Sequence, residues 1–409
     1  MKFDEFNIDE GIKKSLAKQG FIRPTDIQFK SIPAILQGND VLAIAQTGTG
    51  KTAAFVIPVL HILQNRKQKG RGNAVKCLVM APTHELAKQT ELVFKKIGKH
   101  TRINTFCIHG GTEQDTQIAK LREGVDILIA TPGRMFDLVS QQELDLSEVQ
   151  ILVVDEADHM LDKGFIKDIR DMVRFIPRRR QTLFFSATIT PEIKKLAYEL
   201  VNDAIHIRIS PKDPVGKNID HSVAYVEMDD KRFFLEELIK TNEEAKILVF
   251  VRTKIRAERV KSAMERVGIA TETIHSDKEQ QDRNRTMHNF RTGANRVLIA
   301  TDISARGIDI PNVEYVVNYD LPEVAENYVH RVGRTGRAGK RGQAYSFCSS
   351  EEQPLLKAIE EYTGNKIKQL EITKKDYKQV IQESNEDETD WQSLLNEENA
   401  RQDKKRRKK

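Results

Sequence analysis

The sequence predicts an α/β protein made of two tandem domains, each built on a parallel sheet, with a disordered, charged C-terminal tail. Three observations predict it. Short Val-, Ile- and Leu-rich runs alternate with longer polar-patterned segments and lack the two-residue alternation of half-exposed strands, so they read as strands buried on both faces. The pattern breaks at Ser210–Asn218, which carries Pro211, Pro214 and Gly216, and then restarts. Two separate runs recur at one offset: Leu128-Ile129-Ala130-Thr131 returns as Leu298-Ile299-Ala300-Thr301 and Leu78-Val79 as Leu248-Val249, each 170 residues on.

In chain order, the first half supplies strands at Val41–Ala45, Cys77–Ala81, Thr105–His109, Ile127–Thr131, Ile151–Val154 and Leu183–Phe185. The second supplies Ile247–Val251, Glu272–His275, Val297–Thr301, Tyr315–Asn318 and Ala344–Cys348. The expected boundaries are 1–209 for the first domain, 210–218 for a linker, 219–370 for the second domain and 371–409 for the tail. At the common offset the glycine-rich loop of the first half maps near His221, where no glycine–lysine pair stands. Only one half is therefore expected to cradle phosphate, and the other must contribute something else.

Composition bounds the function. The 409 residues are 39% hydrophobic and 31% charged, enough apolar material for two cores. The stretch after Met1 has neither a basic nor an apolar segment of a secretory signal, and no apolar run approaches the roughly 18 residues of a membrane span. The three cysteines, Cys77, Cys107 and Cys348, are far apart and form no C-x-x-C, which argues against a disulfide framework or a zinc site. A soluble protein of the reducing cytoplasm is expected, with no membrane partner. The net charge of +6 is unevenly spread: residues 401–409 carry +6, residues 383–400 carry −7, and the rest carries +7. A mildly basic body permits a polyanionic partner.

Two strings carry chemistry. Ala45-Gln46-Thr47-Gly48-Thr49-Gly50-Lys51-Thr52 follows a strand and opens a helical pattern. Its glycines let backbone N–H groups turn toward phosphate oxygens, and the helix N-terminus adds positive potential. Lys51 can reach the β- and γ-phosphates, and the Thr52 hydroxyl can ligate Mg²⁺. Ala45 stands where the general pattern has glycine. The second string, Ile151 to Asp158, ends a buried strand in Asp155-Glu156-Ala157-Asp158. Asp155 falls at the strand's carboxyl end, where open α/β sheets bind ligands, and can hold Mg²⁺. Glu156 can orient or deprotonate the attacking water.

Asp155-Glu156-Ala157-Asp158 also spells a family signature, and over about residues 1–370 the chain resembles the DEAD-box RNA helicases of helicase superfamily 2. Phe3, Gly20-Phe21, Pro24-Thr25 and Gln28 are similar to that family's adenine-reading element. Pro82-Thr83, Glu85-Leu86-Ala87, Gly110-Gly111 and Thr131-Pro132-Gly133-Arg134 resemble its first-domain RNA contacts, and Ser186-Ala187-Thr188 its coupling motif. Thr301-Asp302, Ala305-Arg306-Gly307-Ile308-Asp309 and His330-Arg331-Val332-Gly333-Arg334-Thr335-Gly336-Arg337 complete the series in the family's order.

The resemblance implies two RecA-like domains closing on one ATP with Mg²⁺, and an RNA-stimulated ATPase that separates short duplexes or remodels RNA–protein complexes. Gln28 would pair with the adenine edge and Phe21 could stack on the ring; taken alone, Gln28 reads as an exposed helix residue. Gln46 to Thr52 would hold the phosphates and Asp309 the ribose. Arg334 and Arg337, on one face if helical, would neutralise the transferring γ-phosphoryl. Thr301 and Arg306 join Pro82, Thr83, Gly110, Gly111 and Thr131 to Arg134 as backbone contacts to RNA, which position a strand without reading sequence. Asp158, Ser186, Thr188 and His330 would couple the two sites.

His84 stands where the family usually has Arg and Val332 where it has Ile; a neutral imidazole predicts a weaker RNA grip. A monomer is expected. The basic end could tether RNA, and Trp391, Leu394 and Leu395, at helix-face spacing, could dock a protein or ribosomal-particle partner. Two rivals remain: an ATP-gated clamp, disfavoured by intact Glu156, Arg334 and Arg337, and a DNA translocase, disfavoured by the Gln28 element and the full RNA-helicase series.

Overall fold

The computed structural model describes residues 2–46, 48–67, 74–209, 215–216, 218–302, 313–336, 341–371, 373 and 377–381. The chain divides into two compact units, one carrying the first seven strands and one carrying the rest. In the first, β1 (Val41–Ala45), β2 (Cys77–Met80), β3 (Thr105–Ile108), β4 (Ile127–Ala130), β5 (Ile151–Val154), β6 (Gln181–Ser186) and β7 (Ile205–Ile209) form one parallel sheet, ordered β3-β4-β2-β5-β6-β1-β7. In the second, β8 (Ile219–Tyr225), β9 (Ile247–Phe250), β10 (Glu272–Ile274), β11 (Val297–Ala300), β12 (Tyr315–Asn318), β13 (Gly342–Cys348) and β14 (Lys368–Gln369) are ordered β10-β11-β9-β12-β13-β8-β14. Every strand of one sheet thus has a counterpart at the same place in the other, as in two RecA-like domains.

The apolar runs lack alternation because both faces of the sheet are covered. In β1, Val41, Ala43 and Ala45 join one hydrophobic cluster while Leu42 and Ile44 join the cluster on the opposite face. β2 splits the same way, with Cys77 and Val79 on one side and Leu78 and Met80 on the other. The 170-residue offset has a structural counterpart: Leu78 pairs in register with Leu128, and Leu248 with Leu298.

Three strands are absent from the sequence reading. β7 is an edge strand whose Ile-His-Ile-Arg-Ile alternates instead of running apolar, and β14 is a two-residue edge. β8 is interior but carries Asp220, His221 and Ser222. The alignment near His221 is corrected with it. His221 lies inside β8, which occupies the place of β1, and the next helix starts at Lys231 (Lys231–Thr241) as the helix after β1 starts at Lys51 (Lys51–Lys67).

The second unit also extends past the expected end at 370. Tyr377 and Val380 pack against its core, and the Tyr377 hydroxyl donates to Asp230 Oδ2 at 2.7 Å and accepts from Glu227 N at 3.2 Å. Most of the expected linker, and the tail from residue 382 with Trp391, Leu394 and Leu395, lie outside the described residues. Among the described residues no helix is long and apolar enough to cross a membrane.

Candidate nucleotide and RNA sites

The carboxyl edge of the first sheet divides into two halves. On the adjacent strands β5, β6 and β1 it carries Asp155-Glu156, Ser186 and the glycine-rich loop; on β3, β4 and β2 it carries Gly110-Gly111, Thr131 and Thr83. In the loop, Gly48 and Gly50 take φ of +81° and +92°, a region that side chains avoid. Gly50 has a further constraint, since a Cβ there would come within 2.4 Å of Gln28 Nε2. Lys51 is buried and its ammonium donates to Ala45 O at 2.6 Å, while Thr49 Oγ1 donates to Gln46 O at 2.7 Å. Thr47 lies outside the described residues.

Asp155 is 2% exposed and its Oδ1 accepts from Glu156 N at 3.0 Å. Burial, reinforced by the neighbouring Glu156 carboxylate and opposed by Lys51, pushes its pKa up to about 7. A buried carboxylate held this way is short of positive charge. Asp155 and the Thr52 hydroxyl are hard-oxygen groups of the kind that would suit Mg²⁺, which takes few protein ligands and completes its shell with water and phosphate. Glu156 is left-handed, φ +50° and ψ +55°, which turns the chain from β5 into the helix Ala157–Asp162. Its Oε2 lies 3.5 Å from His159 Nδ1. Asp158 N donates to Ser186 Oγ at 3.2 Å, so two of the expected coupling residues touch; Thr188 follows at the half-buried start of the next loop.

Gln28 is not an exposed helix residue. It is 3% exposed in the helix Asp26–Leu36, its Oε1 accepts from Thr25 N at 3.0 Å, and its Nε2 donates to Gly50 O at 3.1 Å. Thr25-x-x-Gln28 is a capping box, a signal present in the sequence. Phe21 is half-buried and meets the edge of Phe3 at 6.0 Å between ring centres.

In the other half of the edge, Thr83 caps the helix His84–Ile97 through Leu86 N at 3.1 Å, and Thr131 precedes the helix Pro132–Ser140 that carries Pro132, Gly133 and Arg134. Arg134 Nη2 donates to Thr112 O at 3.1 Å, and its Nη1 is buried with no hydrogen-bond partner among the described residues. His84 stacks on His109 with ring centres 5.0 Å apart, beside Gly110.

The second sheet repeats this half on β10, β11 and β9: His275 and Asp277, then Thr301, then Thr253. Thr253 caps its helix through Arg256 N at 3.2 Å as Thr83 does, and Lys254 Nζ pairs with Asp277 Oδ2 at 2.6 Å. Thr253 and Lys254 are missing from the sequence reading, yet the 170-residue offset maps Thr83 and His84 onto them. Arg334 is not in a helix: the helix Ala325–Val332 stops at Gly333, and Arg334 lies beyond it, 5% exposed, with Nε donating to His330 O at 3.2 Å. Arg306, Asp309 and Arg337 lie outside the described residues.

The DEAD/DEAH box helicase model matches residues 25–196, and the helicase conserved C-terminal domain model matches residues 230–339. The chain is 42% identical over 370 residues to the ATP-dependent RNA helicase RhlB of Shewanella woodyi, covering 90% of this chain and 84% of that protein. The chain belongs to the DEAD-box family. To the family's ATP-dependent RNA helicase CshA of Listeria monocytogenes it is 39% identical, over 90% of this chain and 70% of the relative. Among solved family structures, S. cerevisiae Dbp5 bound to RNA and ADP BeF3 superposes with a TM-score of 0.81 at 31% identity, covering 94% of this chain and 99% of the other. Mss116p bound to ssRNA and AMP-PNP gives 0.80 at 28% identity, covering 97% and 85%.

Proposed function

We propose that this chain is an ATP-dependent RNA helicase, an RNA-stimulated ATPase that separates short RNA duplexes or remodels RNA–protein complexes. The observation that carries the reading is the division of one sheet edge into adjacent halves. One half holds Lys51, Asp155 and Glu156 with the glycine-rich loop, and the other holds Thr83, Gly110 and Thr131, with Arg134 in the helix that follows Thr131.

In this reading the loop N–H groups and Lys51 bind the β- and γ-phosphates, and Glu156 orients the attacking water and takes its proton. Thr52 and Asp155 would hold Mg²⁺, which would neutralise charge on the phosphate oxygens. Arg334 and Arg337 come from the second unit to stabilise charge on the γ-phosphoryl, an effect worth on the order of a thousandfold or more in rate. ATP and single-stranded RNA each favour closure of the two units and so favour each other. Closure bends a short RNA stretch, strands separate locally, and loss of γ-phosphate releases the RNA. The hydroxyls of Ser186, which accepts from Asp158 N, and of Thr188 would link Asp158 to a contact of His330 with the Ser186–Thr188 segment.

The test compares ATP turnover with single-stranded RNA and with DNA of equal length, beside unwinding of a short and a long duplex. RNA-selective stimulation with unwinding confined to the short duplex is expected. Glu156→Gln retains ATP binding and loses turnover. Equal stimulation by DNA, or full turnover after joint Arg334→Ala and Arg337→Ala substitution, overturns the reading.

A further inference from the structure

The second sheet contains a counterpart of the nucleotide half of the first, and it is filled from within. Lys231 opens the helix after β8 just as Lys51 opens the helix after β1, and β8 and β1 hold the same place in their sheets. Both lysines are buried and both ammonium groups donate to a main-chain oxygen at a strand end: Lys51 to Ala45 O at 2.6 Å, Lys231 to Tyr319 O at 2.7 Å. Tyr319-Asp320 follow β12 as Asp155-Glu156 follow β5.

The environment has changed sign. The loop before Lys231 reads Val226-Glu227-Met228-Asp229-Asp230, with no glycine and three carboxylates, and the Tyr377 hydroxyl bonds to both Glu227 N and Asp230. Phosphate is excluded. In its place stands the carboxylate of Glu352, 2% exposed and ion-paired with Lys231. Its Oε2 also accepts from Ser349 N at 3.1 Å and Ser349 Oγ at 3.2 Å, and its Oε1 accepts from Leu321 N and Arg252 Nη2, each at 3.1 Å. Two backbone N–H groups, a hydroxyl, an ammonium and a guanidinium around one anion are the ingredients of a phosphate site.

This pair grips three consecutive residues that also hold the arginine segment. Lys231 takes Tyr319 O and Glu352 takes Leu321 N, while Asp320 O between them accepts from Arg331 Nη1 at 2.7 Å. Arg331 follows His330 and precedes Arg334 by one turn, and its other edge pairs with Asp302 beside Thr301.

We propose that Lys231 and Glu352, an internalised remnant of a phosphate site, are positioning residues for ATP hydrolysis: by fixing Tyr319–Leu321 they set the place of Arg331 and hence of Arg334. The proposal rests on the helicase reading above. Displacing such a segment by about 1 Å costs on the order of a hundredfold in rate without touching the nucleotide.

The test replaces the pair with Lys231→Met/Glu352→Met, which removes both charges so that neither is left buried alone. RNA-stimulated ATP turnover is measured well below the melting midpoint, with Glu352→Gln as a second variant that keeps side-chain volume and the Leu321 contact. The expected result is a melting midpoint lowered by the donors left unpaired around position 352, an unchanged KM for ATP, and a kcat, read well below that midpoint, lower by about ten- to a hundredfold in the double variant and less in Glu352→Gln. A purely structural role predicts that kcat returns with stability. Normal kcat in either folded variant overturns the positioning role alone, whereas no RNA-stimulated turnover by the unaltered chain overturns the helicase reading and this inference with it.

Discussion

Gln28 and Gly50 are joined by a hydrogen bond from Nε2 to the main-chain oxygen, 3.1 Å long, across 22 residues of sequence. The amide therefore links the helix Asp26–Leu36 to the loop that precedes Lys51, and its other end accepts from Thr25 N. Gln28→Ala loses both bonds and is expected to raise the KM for ATP on the order of tenfold, from the roughly 1–3 kcal/mol cost of unpaired buried groups. Gln28→Glu is expected to be worse, because a carboxylate oxygen then faces Gly50 O. Nucleotide titration of both variants checks the order; equal affinities in all three proteins would show that the tie does not shape the loop.

His84→Arg is expected to tighten single-stranded RNA binding several-fold. The ring of His84 lies on that of His109, whose pKa burial pushes below its ordinary value, with Lys88 and Arg134 adding to the effect. A guanidinium at position 84 would add a permanent charge and a fork of donors that imidazole lacks. One added phosphate contact steepens the dependence of log affinity on log salt by about 0.7 for a single strand. RNA titrations at several salt concentrations measure both quantities, and an unchanged affinity and slope would refute the assignment.

Strands buried on both faces were legible because their whole residue runs are apolar, as in Val41–Ala45 and Ile151–Val154. β7 and β14 escaped because edge strands face solvent, and β8 because its polar residues find partners, His221 Nδ1 with the Tyr328 hydroxyl at 2.8 Å. The duplication was legible from six identical residues, but one constant offset could not follow it: loops between paired strands differ in length, so the ends of β1 and β8 are shifted by ten residues more than those of β2 and β9. That is why Lys231 was missed. Arg334 and Arg337 would share a face only if helical, and the helix that carries His330 ends at Gly333, before Arg334. Gln28 looked exposed because a polar residue before Phe29 carries no burial signal; the capping box that buries it is written in Thr25 and Gln28 together.

Glu258 gives the second unit a pH-dependent contribution to stability. Burial works to raise its pKa, but hydrogen bonds from His275, Thr273 and Lys278 overrule it and hold the carboxylate down at about 2, against an ordinary 4.5. The three donors lie at 2.8, 2.7 and 3.0 Å. A carboxylate depressed on folding stabilises fully above its unfolded pKa, and the contribution fades as pH falls from 4.5 toward 2. Glu258→Gln is expected to lower the urea midpoint at pH 7 and at pH 5.5 by equal amounts, with the gap narrowing below pH 4.5. A gap independent of pH down to 3.5 would mean that the carboxylate's charge contributes nothing.

The three cysteines report on opening of each unit. Cys77 in β2, Cys107 in β3 and Cys348 at the end of β13 are all buried and unpaired by disulfides. Burial pushes each thiol upward, Cys107 to about 12 and Cys348 to about 11, with Cys77 higher still, so none is a thiolate at pH 8. A thiol reagent must wait for strands at the sheet to separate. The native protein is expected to resist labelling at pH 8 for hours and to take up three equivalents at once in denaturant. Mass spectrometry of partly labelled protein then distinguishes Cys77 and Cys107, which share the first sheet, from Cys348 in the second. Cys107 is expected to label before Cys77, because β3 is an edge strand paired only with β4 whereas β2 is held between β4 and β5. Prompt labelling of any one cysteine in the native protein would contradict its place in the sheet.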